Sequence, residues 1–169
     1  MIELDGNYLE GGGQIMRTAI ALSVLRQKAF VIENIRAGRP QPGLKSQHLH
    51  AIKAFEKLCN ADVEGAELGS TRVKFVPGKI RPQNIEIDIG TAGSITLLMQ
   101  SLLLPCLFSG KFMLTITGGT DVNWSPSWDY FNQVIVPQFG RYGRIEAKLI
   151  KRGYYPKGQG KVEIKIRNK

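Results

Sequence analysis

The stretch NIEIDIGTAGSITLLMQSLLLPCLFSGKFMLTITGG, residues 84–119, holds a strand, a glycine-bearing turn, an apolar helix and a second strand in succession. Asn84 to Ile89 is the first strand. Thr91-Ala92-Gly93-Ser94 opens the helix, which runs to Phe108, and Lys111 to Thr117 is a strand ending at Gly118-Gly119. The apolar run Ile95 to Phe108 is too short to span a bilayer and carries Gln100 and Pro105, so it reads as a buried core helix and no membrane partner is expected. Downstream, Asp121 to Ser127 is a polar, proline-containing loop. Trp128 to about Phe139 is a second helix in which Trp128 and Tyr130 read as packing residues, and Arg144–Ile150 and Lys161–Ile166 are paired strands around a glycine-rich turn.

The same order stands upstream. Met1 to Leu4 is a strand, Gly11-Gly12-Gly13 leads into a helix from Gln14 to about Leu25, and Ala29 to Ile35 is a strand rich in β-branched residues. Arg36 to Gly43 is a Pro/Gly loop, and Leu44 to Cys59 is an amphipathic helix with Leu44, His48, Ile52, Phe55 and Cys59 on one stripe. Strands near Asp62–Glu64 and Arg72–Val76 close the unit at Pro77-Gly78. Asp5 and Asp88 lie 83 residues apart, as do Arg17 and Gln100, while Gly38 and Gly118 lie 80 apart. Six elements recurring in one order at one period indicate duplication. The expected fold is therefore α+β: two tandem βαβαββ repeats, residues 1–80 and 81–169, each a four-stranded sheet with two helices packed on one face. The first helix of each unit is apolar nearly all round and is expected between neighbours.

Of 169 residues, 43% are apolar and 22% charged, a globular balance that argues against disorder. Lys and Arg outnumber Asp and Glu by 23 to 14, and the resulting +9 favours a polyanionic partner such as nucleic acid or nucleotide. Cys59 and Cys106 form no disulfide framework and no metal-spaced pattern; both fall on apolar helical stripes, as buried free thiols suited to a reducing cytoplasm. Glu3 and Asp5 interrupt the start of the chain, so no signal peptide is expected there.

Two segments carry candidate chemistry. In Glu10-Gly11-Gly12-Gly13-Gln14-Ile15-Met16-Arg17, three glycines before a helix permit close approach by an anion. Glu10, Gln14 and Arg17 are expected on one face or its extension, and Arg17 in so apolar a helix must meet either a ligand or Glu10 as an ion-pair partner. The segment is not a P-loop, because the Gly-Lys-Ser/Thr ending is missing. In Arg36–Gln47, a stiff loop holds Arg36, Arg39 and Lys45 before a helix N-terminus, which suits forked contacts to phosphate as well as plain solvation. His48 and His50, two apart on a helix, do not face one metal, and His48 reads as a partly buried, hydrogen-bonded side chain. Gln100 is expected as a buried amide sharing a face with Gly93 and Thr96, satisfied either internally or by a ligand. The loop from Gly118 through Trp124-Ser125-Pro126 is able to present a Trp and a Pro face to a base.

Together these segments resemble the RNA 3'-terminal phosphate cyclase family. The matching runs are Leu4-Asp5-Gly6, Glu10 to Gln14 with Arg17, Arg36 to Arg39, Pro42-Gly43-Leu44, Gln47-His48-Leu49, Glu64 to Ser70, Gly90 to Ser94, Gly118 to Asp121 and Gly153 to Pro156. The resemblance covers the N-terminal half of a typical cyclase. It implies ATP-dependent conversion of an RNA 3'-phosphate to a 2',3'-cyclic phosphate, giving AMP and diphosphate, through an adenylylated histidine, transfer of AMP to the RNA 3'-phosphate, and attack of the neighbouring 2'-OH. It further implies that Arg17, Arg36, Arg39 and Gln47 surround the terminal phosphate, and that Glu10, Gln14, Gln100 and Pro126 meet ATP. Glu10 would also lie beside Mg2+ or another divalent cation. The family's nucleophilic histidine has no counterpart here, so the chain is expected to lack self-contained catalysis and to take a second chain or a homodimeric copy as partner. Gln159 replaces a usual glycine and Ser127 a common second proline. The alternative is a non-catalytic, cyclase-like RNA-binding module acting in RNA processing or ribosome biogenesis.

Overall fold

A computed structural model describes residues 1–169. In the first unit, β1 (Ile2–Asp5) runs parallel to β2 (Phe30–Glu33), joined by α1 (Gln14–Arg26). A parallel pair needs such a crossover because a tight turn reverses the chain. After α2 (Ser46–Cys59), β3 (Asp62–Glu64) and β4 (Val73–Val76) complete a sheet of order β1-β2-β4-β3, with β4 antiparallel to both of its neighbours. The second unit repeats the plan with β5 (Asn84–Asp88), α3 (Ile95–Leu107), β6 (Lys111–Gly118), β7 (Gly143–Lys151) and β8 (Gly160–Asn168), in the order β5-β6-β8-β7. The duplicated α+β fold expected from the sequence is thus present.

Each sheet is apolar on its helix-covered face. Ile85 and Ile87 alternate with exposed Asn84, Glu86 and Asp88 along β5, and Val162, Ile164 and Ile166 alternate similarly along β8. One cluster of 34 buried residues runs through both units, with α3 packed on α1 and α2 of the first. Within it Phe30 stacks on Phe75 at 5.6 Å and Phe55 meets Phe75 edge-on at 6.4 Å, geometries that add to simple burial.

Two details depart from the sequence reading. The second helix of the second unit is a short α4 (Trp128–Tyr130) that continues through a π-helical turn (Phe131–Ile135) into α5 (Val136–Gln138). There Val136 donates to Phe131, and the widened turn carries the chain into Pro137, whose ring nitrogen has no proton to give. Trp128 packs in the core as expected, but Tyr130 is exposed, since the helix buries Trp128 and Phe131 instead. The helix α1 is also not enclosed. Ile15, Ala19 and Leu22, with Ile2, Leu4 and Phe30, line an open groove of about 490 Å³.

Candidate functional site

The site is assembled by two turns stitched to each other. Gly6 donates to Glu33 O and Arg36 donates to Gly6 O, tying the β1–α1 turn to the loop after β2. Asn7 Oδ1 accepts from Gly38 N at 2.8 Å. Gly6 has no room for a side chain, because a Cβ would sit 2.8 Å from Glu33 O. These bonds bring Arg39 beside Gly12. Ser46 Oγ donates to Ile89 O at 2.6 Å, and Gln47 Oε1 accepts from Ser94 N at 3.1 Å, fastening the start of α2 to the second unit.

The start of α1 is bare. Gly13 provides no side-chain cap, and no acidic residue stands in the first turn, so the amide protons there have no internal carboxylate or hydroxyl partner. Arg17, one turn in, is only 8% exposed, and its Nε donates to Gln100 Oε1 at 2.9 Å. No carboxylate pairs with it. Burial lowers its pKa to about 10, which still leaves it charged at neutral pH. Against Gly13 also stands His48, 2% exposed. Its Nδ1 accepts from Lys45 N at 3.1 Å, the return half of a capping box, so the neutral ring carries its proton on Nε2. That Nε2 is buried and has no partner. Burial, with Arg17, Arg36 and Lys45 adding positive charge, drives the His48 pKa down to about 3. A buried unpaired guanidinium, an orphaned N–H and an uncapped helix start therefore converge beside one glycine. Any Cβ on Gly13 would overlap His48 Nε2 and approach Arg17 Nη1 at 3.1 Å.

The remaining expected residues divide. Arg39, half-buried, lies beside Gly12 and within 3.8 Å of Glu10, whose side chain is 92% exposed. Glu10 does not pair with Arg17: α1 begins at Gln14, so Glu10 sits in a turn outside the helical repeat. Gln14 donates to Thr18 Oγ1 and lines the open groove. Arg36 is buried in a left-handed backbone conformation (φ 54°), and its Nη1 donates to Gln41 O and Gly43 O, bracing its own loop. Gln100 is exposed rather than buried. Thr96, one turn earlier on α3, is buried and donates to Pro126 O at 2.8 Å, anchoring the half-buried Pro126. His48 is the residue that sequence reasoning placed in the packing stripe.

Glu10 is a lone carboxylate, and no three His, Cys, Asp or Glu side chains gather into a metal-binding group. One largely free carboxylate fits a magnesium ion that takes its other ligands from substrate phosphates and water. No helix is long and apolar enough to cross a membrane.

A family model described as RNA 3'-terminal phosphate cyclase matches residues 8–169. The chain is 53% identical over 169 residues to the RNA 3'-terminal phosphate cyclase of Archaeoglobus fulgidus, an overlap of 99% of this chain and 52% of that one. It is 54% identical over 162 residues to the cyclase of Pyrococcus furiosus (95% and 47%) and 48% identical over 168 residues to that of Methanopyrus kandleri (98% and 48%). The chain spans about half the length of these relatives.

Proposed function

The chain belongs to the RNA 3'-terminal phosphate cyclase family, and from that premise we propose that Arg17, His48 and Arg39, with Gln47 and the loop braced by Arg36, hold the terminal phosphate of an RNA 3' end. The observation that carries this reading is the buried Arg17 with no counter-charge. Such a guanidinium is costly until an anion meets it, and a phosphate would satisfy it together with the His48 Nε2–H and the uncapped start of α1. ATP would be met by Glu10, Gln14, Gln100 and Pro126. Mg2+ at Glu10 would supply charge neutralisation on the ATP phosphates. The reaction served is ATP-dependent formation of a 2',3'-cyclic phosphate, in RNA processing in the cytoplasm, where the buried Cys59 and Cys106 stay reduced. The nucleophilic histidine would come from outside residues 1–169, so residues 1–169 by themselves are expected to be inactive.

Titration with one oligoribonucleotide ending in 3'-phosphate or in 3'-OH tests the phosphate site. Tighter binding of the phosphate end, by tenfold or more, is expected, and Arg17→Gln should remove the difference. Equal affinity for the two ends would instead favour a non-catalytic RNA-binding module. ATP labelled at the α-phosphate should leave no covalent AMP on this chain alone; stable labelling would refute the need for a histidine from outside residues 1–169.

A further inference from the structure

Beside the phosphate cluster, the end of the second sheet forms a ledge of three bonded loops. Gly119 donates to Gly93 O at 2.9 Å, next to the Ser94 amide that holds Gln47. Thr120 donates to Gly153 O at 2.8 Å, and Gly153 N returns a bond to Thr120 Oγ1 at 3.0 Å. Gly158 lies against Thr91 and Ala92 so closely that a Cβ would sit 2.6 Å from Thr91 O. The ledge is thus continuous with the site that the proposed reading gives to the terminal phosphate.

Large aromatic side chains stand out from this ledge into solvent. Trp124 is 99% exposed, Tyr155 82% and Tyr154 56%. Trp124 also holds a left-handed backbone (φ 64°), which a bulky residue adopts at a cost. A tryptophan is rarely left so bare, because burying its ring is among the largest apolar gains a side chain offers. The loop is nonetheless fixed. Asp121 accepts from Trp128 N and from Arg152, Arg152 also clasps Asp129, and the Pro126 carbonyl is bonded to Thr96. Exposed rings on and beside a braced loop, with an exposed Lys157 following Tyr155, on a chain of net charge +9, match the sequence-tolerant way in which proteins hold single strands: bases stack on aromatics while cations meet the backbone.

We propose that Trp124 and Tyr155 form a second foothold for single-stranded RNA, on which bases upstream of the 3'-terminal nucleotide stack, with Lys157 serving the backbone. This deepens the terminal-phosphate reading and rests on it for the direction in which the strand runs.

The test compares a dinucleotide and a decanucleotide, each ending in 3'-phosphate or in 3'-OH, by fluorescence anisotropy with the full chain. The decanucleotide should bind about tenfold tighter or more, since one stacked base is worth that much. A Trp124→Ala/Tyr155→Ala double variant should lose the gain from length, keep its affinity for the 3'-phosphorylated dinucleotide and keep its thermal midpoint, both side chains being solvent-exposed. Trp124→Phe should retain most of the gain. Equal affinity of the two lengths, an unchanged decanucleotide affinity in the double variant, or a loss on a non-hydrolysable ATP analogue in place of RNA would overturn the foothold. A length effect that depends on Trp124 while the 3'-phosphate makes no difference would sustain the foothold and defeat the terminal-phosphate assignment.

Discussion

The chemistry of single residues centres on His48 and Gly13. The His48 pKa lies near 3 in the fold against an ordinary value of 6.5. Above pH 6.5 the ring is neutral in both folded and unfolded chains and contributes no pH dependence. As pH falls from 6.5 toward 3 the unfolded chain takes up a proton that the folded chain refuses, so stability drops by up to about 1.4 kcal/mol per unit. Urea midpoints should therefore fall between pH 7 and pH 5 by the equivalent of about 2 kcal/mol. His48→Gln should flatten that fall, and inorganic phosphate should lessen it in the parent chain, since an anion favours the charged ring. An unaltered slope in the variant would refute the assignment. Gly13→Ala should cost about 1–3 kcal/mol of stability by overpacking against His48, and should weaken binding of 3'-phosphate ends far more than of 3'-OH ends. The arginines were legible in the sequence because charge in an apolar helix, and clustered charge in a stiff loop, both need an explanation. His48 was not, because periodicity reports burial and cannot say which ring atom is left without a partner.

Among elements, the duplicated order of strands and helices was readable because each unit alternates its hydrophobic period at the same places. The interruption after Tyr130 was not: a π-helical turn leaves the apolar spacing nearly helical, and Pro137 in the chain marks an end without saying how it is reached. The exposure of Gln100 also escaped the sequence, since it depends on which side of α3 the neighbouring unit leaves uncovered. The helix α4 is held by a tether from outside it. Arg152, just past β7, clasps Asp121 at 3.0 Å and Asp129 at 2.9 Å, bridging the loop after β6 to the start of α4. Burial pushes the Asp121 carboxyl upward, but hydrogen bonds from Thr120, Arg152 and the Trp128 amide outweigh it and hold its pKa below the ordinary value. Its contribution is therefore present at neutral pH and lost as pH falls below the usual carboxylate range. Because Arg152 and Asp129 are solvent-accessible, Arg152→Met should cost under about 1 kcal/mol in global stability. Amide exchange should nonetheless quicken selectively across residues 121–129, and unchanged protection there would show that the tether is not what fixes Pro126 and Trp124.

At the scale of the whole molecule, the two units are equivalent in plan and unequal in surroundings. The 83-residue offset pairs Ile15 with Leu98, Thr18 with Ser101, Ala19 with Leu102 and Leu22 with Pro105. In the second unit all four are buried, with α3 packed on the first unit's helices. In the first unit Thr18 and Leu22 are exposed, Ile15 and Ala19 are half-buried, and the face opens as the groove beside β1. The face that is covered on α3 is thus left uncovered on α1, and a further unit of the same plan would close it. The relatives are about twice as long as this chain, which leaves room for such a unit beyond the region they share. The expected occupant of the groove is therefore a unit from the half of the relatives that this chain does not match. Mixing this chain with the remaining half of the Archaeoglobus fulgidus relative should give a 1:1 complex by light scattering. Leu22→Arg, which exchanges about 1.5–3 kcal/mol of burial for a desolvated charge, should abolish that complex while leaving the isolated chain folded. A complex that forms equally well with the variant would place the docking face elsewhere on the molecule, and the groove beside α1 would then have no structural claim to the missing unit.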